Sequence, residues 1–377
     1  MKFELDSDQE LLAQSVSRLL ERAGASASHP DRHGTPDRWS QFADIGLLAL
    51  PFPEHLGGLN SGGVEALIVM QAIGRSLAVE PYLSCVLLAG SALVNSNDSR
   101  HEALIKRLIA GSCKLTLAHT EPQARYDLSD VATTARKDGD CWVLSGAKIA
   151  ALDAAGADTV LVSARTAGER CDERGVTLFL LQRDIPGLTV QLRTGPDGRS
   201  SGDYVIDGVR VPDSARVGSE GDAIRIVRMA VDRAIAGACA EAVGAMERLL
   251  DLTVEYLKTR KQFGVAIGTF QALQHRAADM LVEVEQARSM AMFAACMATD
   301  ADPRARRAAM AAAKVQVSAA ARFVGQQAIQ LHGGMGMSEE YPAGGYFKRL
   351  TLFERLFGDE SHFLGEIDGC GGIDVGD

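Results

Sequence analysis

Excess basic charge and paired cysteines are both lacking in this sequence, and each lack removes a class of function. Lys and Arg number 39 against 49 Asp and Glu, for a net charge of −10. With a pI near 5.4, the chain lacks the positive field of a nucleic-acid binder or a basic membrane-surface protein. An anionic substrate would need a local basic pocket. The seven cysteines, Cys85, Cys113, Cys141, Cys171, Cys239, Cys296 and Cys370, lie far apart with no CxxC pair. That odd, dispersed set fits neither a zinc site nor a disulfide scaffold, so idle thiols in a reducing cytosol are expected. His332 and His362 have no second ligand nearby in sequence, so no metal is expected. No apolar run is long enough to span a bilayer, and the charged opening MKFELDSDQE enters a helical pattern, unlike a secretory leader or an Arg-rich transit segment. The expectation is a cytoplasmic protein with no membrane and no nucleic acid among its partners.

What is present is a globular composition, 46% hydrophobic with mean hydropathy +0.00, in a chain long enough for two or three domains. From Asp6 to about Ile109 the apolar period is helical, with Leu11, Leu12, Val16, Leu19 and Leu20 forming a first stripe. Gly57, Gly58, Gly62 and Gly63 bracket a glycine-rich loop, but no GxGxxG spacing follows a strand there, so the loop is a connector. At Cys113 the period changes. Residues 114–119 and 142–149 alternate, and 159–162, 176–181, 188–192 and 204–211 are short β-rich runs separated by Gly, Asp and Pro. Their spacing indicates a small antiparallel barrel or sandwich. Helical patterns return at about Ala223. The expected domains are helical over 1–112, β over 113–220 and helical over 221–377.

Two stretches carry chemistry. Residues 260–271 read RKQFGVAIGTFQ and follow a helical stripe of Met246, Leu249, Leu250, Thr253, Val254 and Leu257. Gly264 and Gly268 permit a turn before a new helical pattern at about Thr269, so Arg260, Phe263, Phe270 and Gln271 cluster at a corner. A cation, two aromatic plates and an amide suit a nucleotide with a pyrophosphate; from these residues alone an ordinary helical hairpin with a capping Arg fits as well. Residues 330–342 read QLHGGMGMSEEYP. Gly333 and Gly334 can bring peptide N–H groups close to a phosphate or ring, or simply cap a helix.

In this order and separation the two stretches resemble the C-terminal motifs of the acyl-CoA dehydrogenase family. A Thr-Glu-Pro triplet at Thr120, Glu121 and Pro122, the opening FELDSDQELL and the domain order extend the resemblance over nearly the whole chain. It implies an α+β fold with an N-terminal all-α domain, a middle antiparallel β domain and a C-terminal four-helix bundle, assembled as a homodimer or homotetramer. It also implies FAD, lying extended between the β domain and the bundle. Arg260 would contact the pyrophosphate, with Phe263, Phe270 and Gln271 packed around the dinucleotide. Gln330, Gly333 and Gly334 would close the site from another subunit, and Thr120 would approach the flavin ring.

The reaction implied is α,β-dehydrogenation of an acyl-CoA thioester. A carboxylate takes the α-proton while hydride leaves to flavin N5, and electrons pass on to an electron-transfer flavoprotein. The sequence departs from the family pattern where this chemistry is done. Tyr126 replaces a serine often used near the acyl-CoA, and Ala150, Ala151 and Leu152 replace Trp-Ile-Thr after a Gly-x-Lys turn. Gly358 stands where a glutamate base is customary, and Ala234 occupies the second familiar location. Glu241, two helical turns along from Ala234 in a small and apolar run, is the candidate base, with Asp359 and Glu360 as alternatives. Asp232 and Arg233 match the region that holds CoA in relatives, or form a dipole and capping pair at a helix start. The absent bases suggest a bulky or unusual acyl group, or a subunit that works in a heteromer with a paralogue. An oxidase or monooxygenase on the same fold is a further alternative.

Overall fold

The computed structural model describes residues 5–22 and 38–371; Phe3 and Glu4 of the opening motif lie outside them. Helices α1 (Ser7–Arg22), α2 (Arg38–Asp44), α3 (Gly63–Ser76), α4 (Ser91–Asn95) and α5 (Glu102–Ile109) come first. Wide helical turns over Tyr82–Gly90, every residue of them buried, run straight into α4. Of the first apolar stripe, Val16 and Leu20 are buried while Leu11 is exposed.

Strands β1 (Leu115–Ala118), β2 (Thr134–Asp138), β3 (Cys141–Leu152), β4 (Thr159–Arg165), β5 (Val176–Gln182), β6 (Leu188–Thr194), β7 (Ser200–Pro212) and β8 (Arg216–Val217) make one sheet. Its path is β6-β7-β3-β2-β4-β5-β8. The expected antiparallel pairing holds, including β4 with β5, except on the other edge of β4, which pairs β1 in parallel over Thr159 to Val162 and then meets β2 in parallel at Arg165. The inward face of Trp142, Leu144, Val160, Val162, Phe179, Leu181, Tyr204 and Ile206 is the core of this sheet. Each such side chain contributes roughly 1.5–3 kcal/mol on burial, and Trp142 also donates its indole N–H to Asp213 at 2.9 Å. Gly146 and Lys148 fall inside β3, at register shifts against β7. The expected Gly-x-Lys turn is therefore corrected to a bulged strand, with Gly146 at φ +155°. A Cβ there would sit 2.4 Å from Thr133 Oγ1.

Helix α6 (Ala223–Thr259) is followed by a small hairpin of β9 (Lys261–Gln262) and β10 (Val265–Ala266), and then by α7 (Gln271–Met297), α8 (Pro303–His332), α9 (Ala343–Phe353) and α10 (Glu360–Gly369). Asp302 caps α8 through the Arg304 N–H, with Pro303 opening the helix. By compactness the described chain forms two units: Glu80–Ala234 with Asp37–Ser61, and Ile235–Asp377 with Gly62–Val79 and Met1–Pro36. The first holds the sheet; the second holds α1, α3 and the later helices.

Within the helical unit α3 touches α6 backbone to backbone. A Cβ on Gly74 would lie 1.9 Å from the Glu241 carbonyl oxygen, and one on Gly244 would lie 2.0 Å from that of Gln71. Neither backbone can yield to a methyl group, so Gly74→Ala or Gly244→Ala should destabilise the protein by about 1–3 kcal/mol. Gly365→Ala, in open space within α10, should be neutral or stabilising. Urea unfolding of the three variants measures the contrast.

Candidate functional site

The Arg260 corner forms as the spacing requires. Phe263 at φ +52° and Gly264 at φ +83° make the tight turn of the β9–β10 hairpin. The Ile267 N–H closes the loop on the Arg260 carbonyl at 2.8 Å. Gly268 lets the loop pass α6, since a Cβ there would lie 2.8 Å from the Leu257 carbonyl oxygen. Phe263 and Phe270 meet edge to face at 6.2 Å, and Phe263 is 92% exposed. Arg260 and Gln271 are exposed as well, and the Arg260 guanidinium has no ion-pair or hydrogen-bond partner among the described residues.

The second stretch runs from the last turn of α8 into the loop beyond it. Gly333 takes φ +58°, and Gln330, Gly333 and Gly334 are exposed. Added Cβ atoms at the two glycines would meet nothing in the chain within 4 Å. His332 is buried and serves as packing: Nδ1 donates to the Ala328 carbonyl at 2.8 Å, leaving Nε2 to accept from the Tyr341 hydroxyl at 3.1 Å. Burial lowers its pKa, consistent with a neutral ring. The Tyr256 ring lies 4.6 Å from it, so the end of α6 and the end of α8 are joined within one chain. Among the described residues no cluster has the composition of a metal site.

The candidate base turns out differently placed. Glu241 is 4% exposed, and its Oε1 accepts from Arg349 of α9 at 2.5 Å. Arg349 also donates to the Ala78 carbonyl at 3.2 Å. Glu241, expected as the candidate base, is one half of a buried ion pair. The sequence reasoning missed Arg349, which is 108 residues away. Asp359 caps α10 by accepting the His362 N–H at 3.0 Å, and Glu360 pairs with Arg322 at 3.3 Å.

Gly358 is buried at φ +150°, and a Cβ on it would lie 2.5 Å from Phe363 Cε2 and 2.6 Å from His362 Cδ2. Lys314 seals this loop by donating to the carbonyls of Glu354 at 3.2 Å and Gly358 at 3.1 Å. Its ammonium also lies over the Phe353 ring at 4.4 Å. Burial pulls the Lys314 pKa down to about 8.

In the sheet unit, Thr120 is half-buried just past β1. Its carbonyl accepts the Ile149 N–H at 2.8 Å. Its neighbour Glu121 forms a buried pair with Lys148 at 2.6 Å and accepts the N–H groups of Ala132 at 2.9 Å and Thr133 at 3.1 Å. Burial raises the Glu121 pKa, but Lys148 and these hydrogen bonds outweigh it and leave the group lowered to about 2. Tyr126 is half-buried in the turn that follows, beside Arg125 at φ +48°. Asp232 is 2% exposed and Arg233 donates to Ser91 Oγ at 3.4 Å. Helix α6 begins at Ala223, so the expected capping pair at a helix start is corrected to a pair inside the helix.

Comparison with known proteins places this geometry. Three family models match in chain order: acyl-CoA dehydrogenase, N-terminal domain, over residues 6–112; middle domain, over 116–209; and C-terminal domain, over 223–362. The chain is 31% identical over 320 residues to the human short-chain specific acyl-CoA dehydrogenase, covering 83% of this chain and 77% of that one. It is 28% identical over 319 residues to the caffeyl-CoA reductase-Etf complex subunit CarC of Acetobacterium woodii, covering 83% of each. The structure of butyryl-CoA dehydrogenase from Megasphaera elsdenii superposes with a TM-score of 0.90 at 26% identity, over 98% of this chain and 99% of that one. A chain of the ChsE4-ChsE5 complex from Mycobacterium tuberculosis gives 0.85 at 25% identity, over 98% of each.

Two outcomes follow from the buried pairs. Glu241→Ala should cost about 3–5 kcal/mol by stranding Arg349. Glu241→Ala/Arg349→Met should recover much of that loss in urea unfolding. Glu121, with its folded pKa below its ordinary 4.5, contributes stability that is present above pH 4.5 and lost as pH falls toward about 2. Glu121→Gln should flatten the stability curve in that window and leave its slope above it unchanged.

Proposed function

The chain belongs to the acyl-CoA dehydrogenase family, and from that premise we propose that it is the FAD-holding, base-deficient chain of a heteromeric acyl-CoA dehydrogenase. It is an oxidoreductase of the acyl-CoA dehydrogenase class with FAD as its cofactor. The single observation that supports the heteromeric reading is the sealed loop at Gly358, where a side chain would run into Phe363 and His362. Each other candidate is engaged: Glu241 by Arg349, Asp359 by the start of α10, Glu360 by Arg322. Using Glu241 as the base would require opening a buried ion pair inside the helical unit. A carboxylate from a second, different chain avoids that cost, and one structural relative carries the name of a two-protein complex.

The residues fit FAD. Arg260 offers an unpartnered guanidinium for the pyrophosphate, Phe263 and Phe270 offer exposed ring faces, and Gln271 offers an amide. Gln330 offers an exposed amide, and Gly333 and Gly334 offer uncrowded backbone, for a dinucleotide held by a neighbouring subunit. FAD supplies the two-electron acceptor for the α,β-dehydrogenation. Thr120 orients the flavin edge, and Tyr126, Asp232 and Arg233 are the candidates for acyl-CoA contact. Electrons leave to an electron-transfer flavoprotein, a reading supported by the Etf complex named for the Acetobacterium relative.

The test is to purify the chain alone and together with co-expressed paralogues, then follow flavin bleaching anaerobically over a panel of CoA esters. The chain alone should be yellow and should not bleach; the mixed complex should bleach. Bleaching by the chain alone overturns the partner requirement, and its loss in Glu241→Gln would return the base to Glu241. A colourless protein indifferent to added FAD overturns the reading altogether.

A further inference from the structure

Lys148 has no exposed surface, and its three ammonium protons go to three acceptors. These are the His119 carbonyl at 3.1 Å, Glu121 Oε1 at 2.6 Å and Ser163 Oγ at 2.9 Å. Two of the three flank Thr120. The next residue of β3, Ile149, holds the carbonyl of Thr120 itself. Thr120 is thus fixed on both sides and at its own backbone by consecutive residues of one strand, while its hydroxyl has no partner among the described residues.

The network has one consistent orientation. His119 Nε2 must donate to the Leu128 carbonyl at 2.9 Å, so Nδ1 accepts from the Ser163 hydroxyl at 2.8 Å. Ser163 in turn accepts from Lys148. Burial first, and the Lys148 charge second, push the His119 pKa down to about 3, which keeps that ring neutral. Through Leu128, and through the Ala132 and Thr133 N–H groups on Glu121, the same ammonium anchors the turn that carries Tyr126. A buried ion pair is commonly no more stable than an apolar replacement of equal volume. What this one supplies is direction.

We propose that Lys148 is a positioning residue for the flavin: acting through His119 and Glu121, it sets the orientation in which Thr120 meets the cofactor and so the tightness with which FAD is held. The inference rests on Thr120 being a flavin contact. Lys148 itself touches no reacting atom.

The experiment titrates FAD into apoprotein by fluorescence quenching and records the visible flavin spectrum of each holoprotein. The variants are Thr120→Val, Ser163→Ala, Lys148→Met and the two double variants with Thr120→Val, each checked for folding by circular dichroism. Ser163→Ala removes one acceptor without changing charge, so it reports even if Lys148→Met does not fold. Each single substitution should raise the dissociation constant by roughly 2- to 10-fold and shift the flavin absorbance. In the Thr120→Val background the second substitution should add little. Effects that multiply irrespective of Thr120 overturn the proposal, as does a Ser163→Ala protein with unchanged affinity and spectrum; the Thr120 reading survives both. A Thr120→Val protein with unchanged affinity and spectrum sinks that reading, and the proposal with it.

Discussion

A carboxylate buried among helices must find a cation, and the pairing of Glu241 with Arg349 meets that requirement for the whole helical unit. An uncompensated charge in that interior would cost several kcal/mol, so α9 is held where Arg349 reaches both Glu241 and the carbonyl of Ala78. The same residue lies at the point where α3 touches α6, with Gly74 against the Glu241 carbonyl oxygen. One residue thus serves two contacts, its side chain toward α9 and its backbone toward α3. A carboxylate committed in this way is poorly suited to accept a substrate proton, because neutralising it would strand the Arg349 charge in the interior.

The sheet unit meets the same rule with Glu121 and Lys148, but the consequence differs. Here the pair sits beside a strand end and not between helices, and its remaining hydrogen bonds go to the backbone of His119, Ala132 and Thr133 and to the side chains of Gln123 and Ser163. Five acceptor and donor groups from His119, Gln123, Ala132, Thr133 and Ser163 converge on it. The energy of the pair is thereby converted into a defined path for the chain from Thr120 to Thr133. Where Glu241 locks helices, Glu121 shapes a loop.

Much of the architecture was legible in the sequence because it is written in periodicity. The stripe from Met246 to Leu257 is the buried side of α6, the change of period at Cys113 falls just before β1, and the glycines after Arg260 fall at the hairpin and the close passage past Leu257. The strand β2 was missed because its residues, TARKD, are mostly exposed and polar, so no alternation marks them. The wide turns over Tyr82–Gly90 were read only as helix, since a uniformly buried segment carries no face. The geometry of the candidate site was legible where it is local, in the turn that brings Phe263 and Phe270 together, and illegible where it depends on a distant partner. Nothing in AIAGACAEAVGAM points to Arg349, and the alternation over 142–149 that marks β3 does not reveal that Lys148 within it pairs with Glu121.

The two ends of the helical unit's chemistry stand in opposite states. At the Arg260 corner an almost fully exposed Phe263 and an unpartnered guanidinium sit beyond α6, and Met335 and Met337 are exposed beyond α8. Apolar surface left open in this way is stabilised only when something covers it, so the corner is built for contacts the chain does not make with itself. At Gly358 the reverse holds: Lys314, Phe363 and His362 fill the space and saturate the carbonyls. A chain that had merely lost its base by substitution would have an open loop with a gap where the carboxylate belongs. This one has a closed loop with compensating groups, and the proposed division of labour between two chains rests on that packing.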